Sequence, residues 1–161
     1  MAKHKKSPLP MVFENRRNEA LVSFWWTGVM LGKCADKLFG QFDMSVAKFN
    51  LMMAVKFAER PLTQKDLSER LFVDKSGLTG MIDRLGKQGW IERKSVPEDR
   101  RSYHIALTDA GEDMLESVIE VYDRLIDDIT EDISDRQLPQ VMKFSERIRA
   151  ATFEKIAELS R

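Results

Sequence analysis

The sequence predicts a mostly α-helical chain with one small β-hairpin, in the order α-α-α-α-β-β-α-α. Two short amphipathic segments, 63–70 and 75–88, are separated by only three to four residues around Phe72, which is the spacing of a helix-turn-helix. Segments 90–95 and 103–107 alternate in polarity around a polar turn, as strands of a hairpin do. Long helical periodicities flank this unit on both sides. A hairpin beside a helix-turn-helix predicts a winged helix joined to a helical dimerisation region.

Charge is unevenly distributed along the chain, although 26 Lys and Arg balance 26 Asp and Glu. Residues 1–59 carry 9 basic and 5 acidic side chains (+4), residues 60–107 carry 10 and 7 (+3), and residues 108–161 carry 7 and 14 (−7). Phosphate attraction acts over a screening length of about 8–10 Å, so local charge matters more than the total. We therefore expect the acidic last third to lie away from any phosphate.

The chain divides into four predicted regions. Residues 1–10 are basic, contain proline and lack periodicity, so we expect a disordered tail, with a phosphate-touching arm as the alternative. Residues 11–59 are expected to form helices for dimerisation and core support. Residues 60–107 are the predicted winged helix-turn-helix, and residues 108–161 the C-terminal dimerisation helices.

Residues suited to catalysis or metal binding are sparse. The chain has two histidines, His4 and His104, and a single cysteine, Cys34, which excludes an intramolecular disulfide. We expect a structural role for His104 and an inert thiol at Cys34, and we expect neither enzymatic activity nor a cofactor or metal. The longest nearly apolar stretch, 21–32, is shorter than the roughly 20 residues of a membrane span. These features favour a cytoplasmic protein outside the membrane.

The first two helices are predicted from periodicity and caps. The first runs from about Glu14 to Phe39 and ends at Gly40, which suits a C-terminal cap. Ser45 can cap a second helix through about Ala58. This second helix is apolar on nearly every side, so we expect it to be buried.

The next two helices have start signals of their own. Thr63 and Asp66 resemble the ends of a capping box, which opens a helix to about Arg70 that buries Leu67 and Leu71. Asp74 can cap a following helix that ends at Gly89.

Two long helices follow the hairpin. Thr108 precedes acids at the positive end of a helix whose apolar stripe begins at Leu115. The segment from Ser134 to Gln137 resembles a second capping box, and the last helix continues to about Leu159.

The helix over 75–88 has two chemically distinct faces. At about 100° per residue, Leu78, Met81, Ile82 and Leu85 share a narrow arc that should face the core. The opposite arc has short side chains near its N-terminus, which lets a helix enter a major groove about 12 Å wide. The predicted DNA contacts on this helix and beside it are Thr63, Lys75, Ser76, Thr79, Gly80, Arg84 and Lys87. Asp83 opposes phosphate unless it pairs with Lys87 or Arg84 or accepts from a cytosine amine.

The hairpin tip carries two adjacent arginines, Arg100 and Arg101. A narrow minor groove has an enhanced negative potential that attracts arginine. We therefore predict that these two side chains contact DNA, and that Asp99 braces an arginine within the turn. The alternative is a surface ion pair.

Residues 60–111 resemble the winged helix of the multiple-antibiotic-resistance regulator (MarR) family of transcription factors. The family's wing signature appears as Asp99-Arg100-Arg101 followed by Leu107-Thr108-Asp109-Ala110-Gly111. The resemblance implies a homodimer on a pseudopalindromic operator, with Ser76 and Thr79 in the major groove and the wing arginines in the minor groove. Gly80 departs from the pattern, because many relatives carry a larger and often basic residue there.

Dimerisation also follows from the apolar stripes on the first and last two helices, which exceed what one small winged helix can cover. Members of the family often bind small aromatic or phenolic molecules between the dimer body and the winged helix. The candidate pocket residues in this chain are Trp25, Trp26, Phe49, Met52 and Met53, with simple core packing as the alternative.

The sequence thus favours a dimeric, sequence-specific regulator of transcription, a repressor relieved by a small effector. Two alternatives stay open: a winged-helix module that binds another protein, and a non-specific architectural DNA binder.

Overall fold

The computed structural model describes residues 13–96 and 99–159, and the side chains of residues 96 and 99–102 lie outside that description. The helices are α1 (Arg16–Phe39), α2 (Val46–Lys56), α3 (Gln64–Leu71), α4 (Lys75–Lys87), α5 (Asp109–Thr130) and α6 (Leu138–Leu159). The strands are β1 (Leu62–Thr63), β2 (Ile91–Val96) and β3 (Asp99–Leu107), and a short 3-10 helix, Gly40–Phe42, joins α1 to α2. The predicted order of six helices around a β-wing is confirmed.

The chain divides into two compact units, the first ending at Val121 and the second beginning at Tyr122. The core of the first unit is made almost entirely of aliphatic and aromatic side chains. Its most deeply buried members are Phe39, Leu51, Met52, Leu67, Leu78, Ile82, Leu85, Leu115 and Val118. Within the second unit, α6 carries several exposed apolar side chains: Val141, Met142, Phe144, Phe153, Ile156 and Leu159.

The predicted caps of α2 and α4 form with hydrogen bonds from the helix N-termini. The Ser45 hydroxyl accepts from the Lys48 N–H at 3.3 Å, and the Asp74 carboxylate accepts from the Gly77 N–H at 2.7 Å. Each bond satisfies a donor that the helix itself leaves unpaired. The capping box predicted at Ser134 forms only in part: the Gln137 Oε1 accepts from the Ser134 N–H at 3.1 Å and from its hydroxyl at 2.8 Å, and α6 begins only at Leu138.

The sheet departs from the predicted hairpin in two ways. It has three antiparallel strands in the order β1-β3-β2, and Leu62 pairs with Ile105. No strand was predicted at Leu62, because a two-residue strand has no alternation to detect. The second strand was also expected to begin at Tyr103, but β3 begins at Asp99, which pairs with Val96.

Two burial predictions were wrong. Phe57 follows the last turn of α2 and is 61% exposed, although α2 was expected to be buried on nearly every side. Leu71 is half-buried, whereas Leu67 is fully buried as predicted. Phe57 and Leu71 both lie at the ends of helices, where the chain turns away from the core.

The start of α5 is tied to the loop after α4. The Thr108 N–H donates to the Trp90 carbonyl at 3.1 Å, and the Thr108 hydroxyl donates to the Gly89 carbonyl at 2.6 Å. A Cβ built on Gly111 would lie 1.9 Å from the Trp90 carbonyl oxygen. The Leu-Thr-x-x-Gly segment therefore needs glycine because backbone passes through the space of a side chain.

Candidate nucleic-acid interface

The core positions α4 by one face and leaves the other face exposed. Leu78, Met81, Ile82 and Leu85 are all buried, as the helical spacing predicts. Ser76, Thr79, Asp83, Arg84 and Lys87 are exposed, and Gly80 is half-buried. Burial of the four apolar side chains fixes the rotation of α4 about its axis, so the face with short side chains near its N-terminus points to solvent.

The turn between α3 and α4 is held by side chains and by an unusual backbone conformation. Phe72 adopts the left-handed region, with φ at 53°. The Ser68 hydroxyl donates to the Val73 carbonyl at 2.7 Å, and the Val73 N–H donates to the Ser68 carbonyl at 3.2 Å. These bonds close the turn that sets α3 against α4.

Ser76 is bonded to the cap of its own helix. Its hydroxyl donates to the Asp74 carboxylate at 2.6 Å. The pKa of Asp74 is lowered, first by the Gly77 N–H and then by this hydroxyl. Because the one hydrogen of Ser76 is committed to Asp74, its oxygen is left to act as an acceptor at the surface.

Thr63 forms both arms of the predicted capping box. Its N–H donates to the Asp66 carboxylate at 2.8 Å, while its hydroxyl oxygen accepts from the Asp66 N–H at 3.2 Å. The Arg60 guanidinium grips the same carboxylate at 2.7 and 3.3 Å. This guanidinium and then Thr63 hold the pKa of Asp66 well below its usual range. The Thr63 hydroxyl thus already has partners at the place where a DNA contact was predicted.

Thr79 forms a hydrogen bond with Gln64, which was not predicted to be part of the site. Its hydroxyl donates to the Lys75 carbonyl at 2.7 Å and accepts from the Gln64 Nε2 at 2.5 Å. Gln64 is the first residue of α3 and lies 15 positions away in sequence. The capping box places Gln64 at the start of α3, but only the packing of α3 on α4 brings it to Thr79.

Asp83 is paired with a residue that was not among the partners considered for it. Asp83 pairs with Arg93 of β2 at 2.6 Å, rather than with Lys87 or Arg84. Within the described part of the chain, no carboxylate lies within 4.0 Å of the amino or guanidinium groups of Lys75, Arg84 or Lys87. The exposed face of α4 thus keeps three cations, while its one acid is neutralised by the adjoining strand.

The wing tip is described only through its backbone. Residues 99–102 belong to β3, but the side chains of Asp99, Arg100 and Arg101 lie outside the described part of the structure. Their predicted roles as wing brace and DNA contacts therefore stay predictions.

The five candidate effector residues have different environments. Phe49 and Met52 are buried, Trp26 and Met53 are half-buried, and Trp25 is 61% exposed. The Phe49 ring packs on Phe39 with centroids 4.8 Å apart. Phe49 and Met52 thus already serve the core, as the packing alternative expects.

Two cavities of about 460 Å³ lie elsewhere in the first unit. One is lined by residues from the end of α2, β1 and β3, including Lys56, Arg60 and His104. The other lies between α4 and β2 and includes Asp83, Lys87 and Arg93. None of the five candidate effector residues lines either cavity.

The remaining observations concern Cys34, His104, groups that could hold a metal ion and helices that could span a membrane. Cys34 is exposed, and His104 is half-buried on β3, paired with Thr63. Within residues 13–96 and 99–159, no group of three or more His, Cys, Asp or Glu is arranged to hold a metal ion. Over the same residues, no helix has the length and apolar character that a bilayer span requires.

The three-stranded sheet and the paired helices α3 and α4 define a winged-helix protein. Residues 42–102 match the family model described as the MarR family. The curated regulator PecS of Dickeya dadantii is 29% identical over 94 residues, and the match covers 57% of each chain. The chain thus spans little more than half the length of this relative.

Solved structures show the same fold. The MepR–DNA complex of S. aureus superposes with a TM-score of 0.72 at 18% identity, covering 81% of this chain and 96% of MepR. CouR from Rhodococcus jostii RHA1, bound to p-coumaroyl-CoA, gives a TM-score of 0.72 at 17% identity, covering 84% of this chain and 95% of CouR. The match of residues 42–102 and the shared fold agree, and both show that this chain is similar to MarR-family winged-helix proteins.

Proposed function

We propose that this chain is a sequence-specific, DNA-binding transcriptional regulator that acts in the cytoplasm. The observation that carries the proposal is the exposed face of α4, where short side chains lie between Lys75, Arg84 and Lys87. Short side chains let a helix backbone approach base edges, and the flanking cations suit phosphates. The relative PecS is named a transcriptional regulator, and MepR is seen in complex with DNA.

The proposed regulator is a homodimer on a pseudopalindromic operator. Large apolar side chains of α1 are exposed, among them Leu21, Trp25 and Met30, and the apolar side chains of α6 described above are exposed as well. Apolar surface of this extent is typical of an interface between subunits. A two-fold axis would space the half-sites by about one DNA turn, roughly 34–36 Å.

The proposed regulator is a repressor relieved by a small aromatic or phenolic effector. CouR, which shares the fold, is seen with p-coumaroyl-CoA bound. In this chain the exposed Trp25 and the half-buried Trp26 and Met53 offer apolar surface for such a ligand. Effector binding would lower operator affinity by favouring an arrangement of the two winged helices that does not fit the operator.

Fluorescence anisotropy with the DNA upstream of the protein's own gene tests the proposal, with a random duplex of equal length as control. We expect the upstream DNA to bind at least tenfold more tightly, with affinity that falls as salt rises. Equal affinity for every duplex would indicate an architectural binder and overturn the specific function. Salt-insensitive or undetectable DNA binding would favour the protein-interaction module. Light scattering measures whether the active species is a dimer.

A further inference from the structure

The hydrogen bond between Gln64 and Thr79 determines which atoms each side chain can offer. Thr79 has one hydroxyl hydrogen, and it points to the Lys75 carbonyl at 2.7 Å. The hydroxyl can therefore only accept from Gln64, so the Gln64 atom 2.5 Å away is its NH₂ group. This fixes the orientation of the amide, with its Oε1 and its second N–H left to bind other groups.

The edge of adenine in the major groove is complementary to the two free groups of this amide. It presents the N7 acceptor and the N6 amino donor side by side, and the amide of Gln or Asn binds both at once. The contact with adenine uses the amide hydrogen that lies beside Oε1, so Gln64 would keep its bond to Thr79 through the other amide hydrogen.

The two side chains also lie in a suitable place. Thr79 is on the exposed face of α4, and the next residue, Gly80, leaves the space beside it open apart from the Arg84 guanidinium, 3.5 Å from a Cβ built there. Gln64 is set by the capping box below it, where Arg60 and Thr63 hold Asp66. Holding both side chains in place before DNA arrives reduces the entropy lost on binding.

We propose that Gln64, oriented by Thr79, reads an adenine in each half-site, and that the Thr79 methyl contacts a neighbouring thymine methyl. This inference rests on the proposed function, since it names the base pair that the reading face recognises. Thr79 acts here as a positioning residue for Gln64 as well as a contact.

The test uses the full chain and a duplex selected from a random DNA pool. Each adenine of the half-site is replaced in turn by 7-deazaadenine, which lacks N7, and each thymine by uracil, which lacks the methyl. We expect one adenine replacement to weaken wild-type binding about 5- to 100-fold. One uracil replacement next to it should weaken binding about three- to fourfold.

Variants then connect each base to its side chain. Gln64→Ala should bind the adenine and 7-deazaadenine duplexes equally. Thr79→Val keeps the methyl and loses the hydroxyl, so it should lose most of the adenine preference but keep the sensitivity to uracil. Lys65→Ala is the matched control, because this neighbour on α3 faces Glu69 at 4.0 Å and should leave base preference unchanged. Circular dichroism melting checks that each variant is folded.

Specific binding with a 7-deazaadenine penalty that persists in Gln64→Ala would overturn this inference and leave the proposed function standing. The same holds if no adenine replacement weakens wild-type binding. If no selected duplex binds more tightly than random DNA, both the inference and the proposed function fail.

Discussion

Replacing Gly111 by alanine should destabilise the protein, although alanine is the better helix former. The new Cβ would lie 1.9 Å from the Trp90 carbonyl oxygen and 2.7 Å from its carbonyl carbon. To restore an ordinary van der Waals distance between the new Cβ and the Trp90 carbonyl, α5 would have to move away from Trp90. That movement would strain the two hydrogen bonds from Thr108 to Trp90 and Gly89, each worth about 1 kcal/mol. Overpacking adds roughly 1–3 kcal/mol, and helix propensity returns about 1 kcal/mol. The expected loss is therefore about 2–4 kcal/mol.

Gly80→Ala is a matched control for this prediction, because it makes the same change inside a helix. Its Cβ would meet only the flexible Arg84 guanidinium at 3.5 Å, so α4 should gain up to about 1 kcal/mol. Urea unfolding at one fixed protein concentration measures both variants, since association would shift apparent stability. If Gly111→Ala is as stable as the wild type, the close approach of Trp90 does not explain this glycine.

Three further predictions concern charged residues. Asp66→Asn should lower the free energy of unfolding by about 1 kcal/mol at neutral pH. Because the pKa of Asp66 is depressed in the folded state, the difference between wild type and variant should shrink as the pH falls below 3.8, the ordinary pKa of this carboxyl. A difference that grows in acid would refute this prediction. Asp83→Asn removes an acid and releases Arg93, so affinity for random duplex DNA should rise, on the order of fivefold at low salt, whereas unchanged or weaker binding would contradict the paired geometry. Arg101→Ala should weaken DNA binding and reduce the salt slope by about 0.9; unchanged affinity would remove Arg101 from the wing contact.

The elements with local signals could be predicted from the sequence. The faces of α4 follow from helical periodicity together with the Asp74 cap, both of which are contained within 15 consecutive residues. The capping box of α3 is equally local, since Thr63 and Asp66 are three residues apart. The exposed face of α4 was therefore predictable from the sequence.

The contacts that sequence reasoning missed join separate elements. The Asp83–Arg93 pair crosses from α4 to β2, whereas the two partners considered from the sequence, Lys87 and Arg84, lie on the same helix. Gln64 reaches Thr79 only because the turn at Phe72 sets α3 against α4. Partners of this kind depend on tertiary packing, which a periodicity analysis does not describe.

These contacts also show how a chain with a net charge of zero can keep unpaired cations together on one surface. Two acids of the winged helix are paired with cations, Asp66 with Arg60 and Asp83 with Arg93, whereas Asp74 is bonded to the N-terminus of α4. Each pair joins one acid to one cation, so pairing leaves the net charge of the region unchanged. It does determine which cations have no acid partner. Lys75, Arg84 and Lys87 have no acid within salt-bridge distance in the described part of the chain, so all three remain available on the exposed surface of α4. A count of charges along the sequence cannot distinguish this arrangement from a uniformly neutral surface.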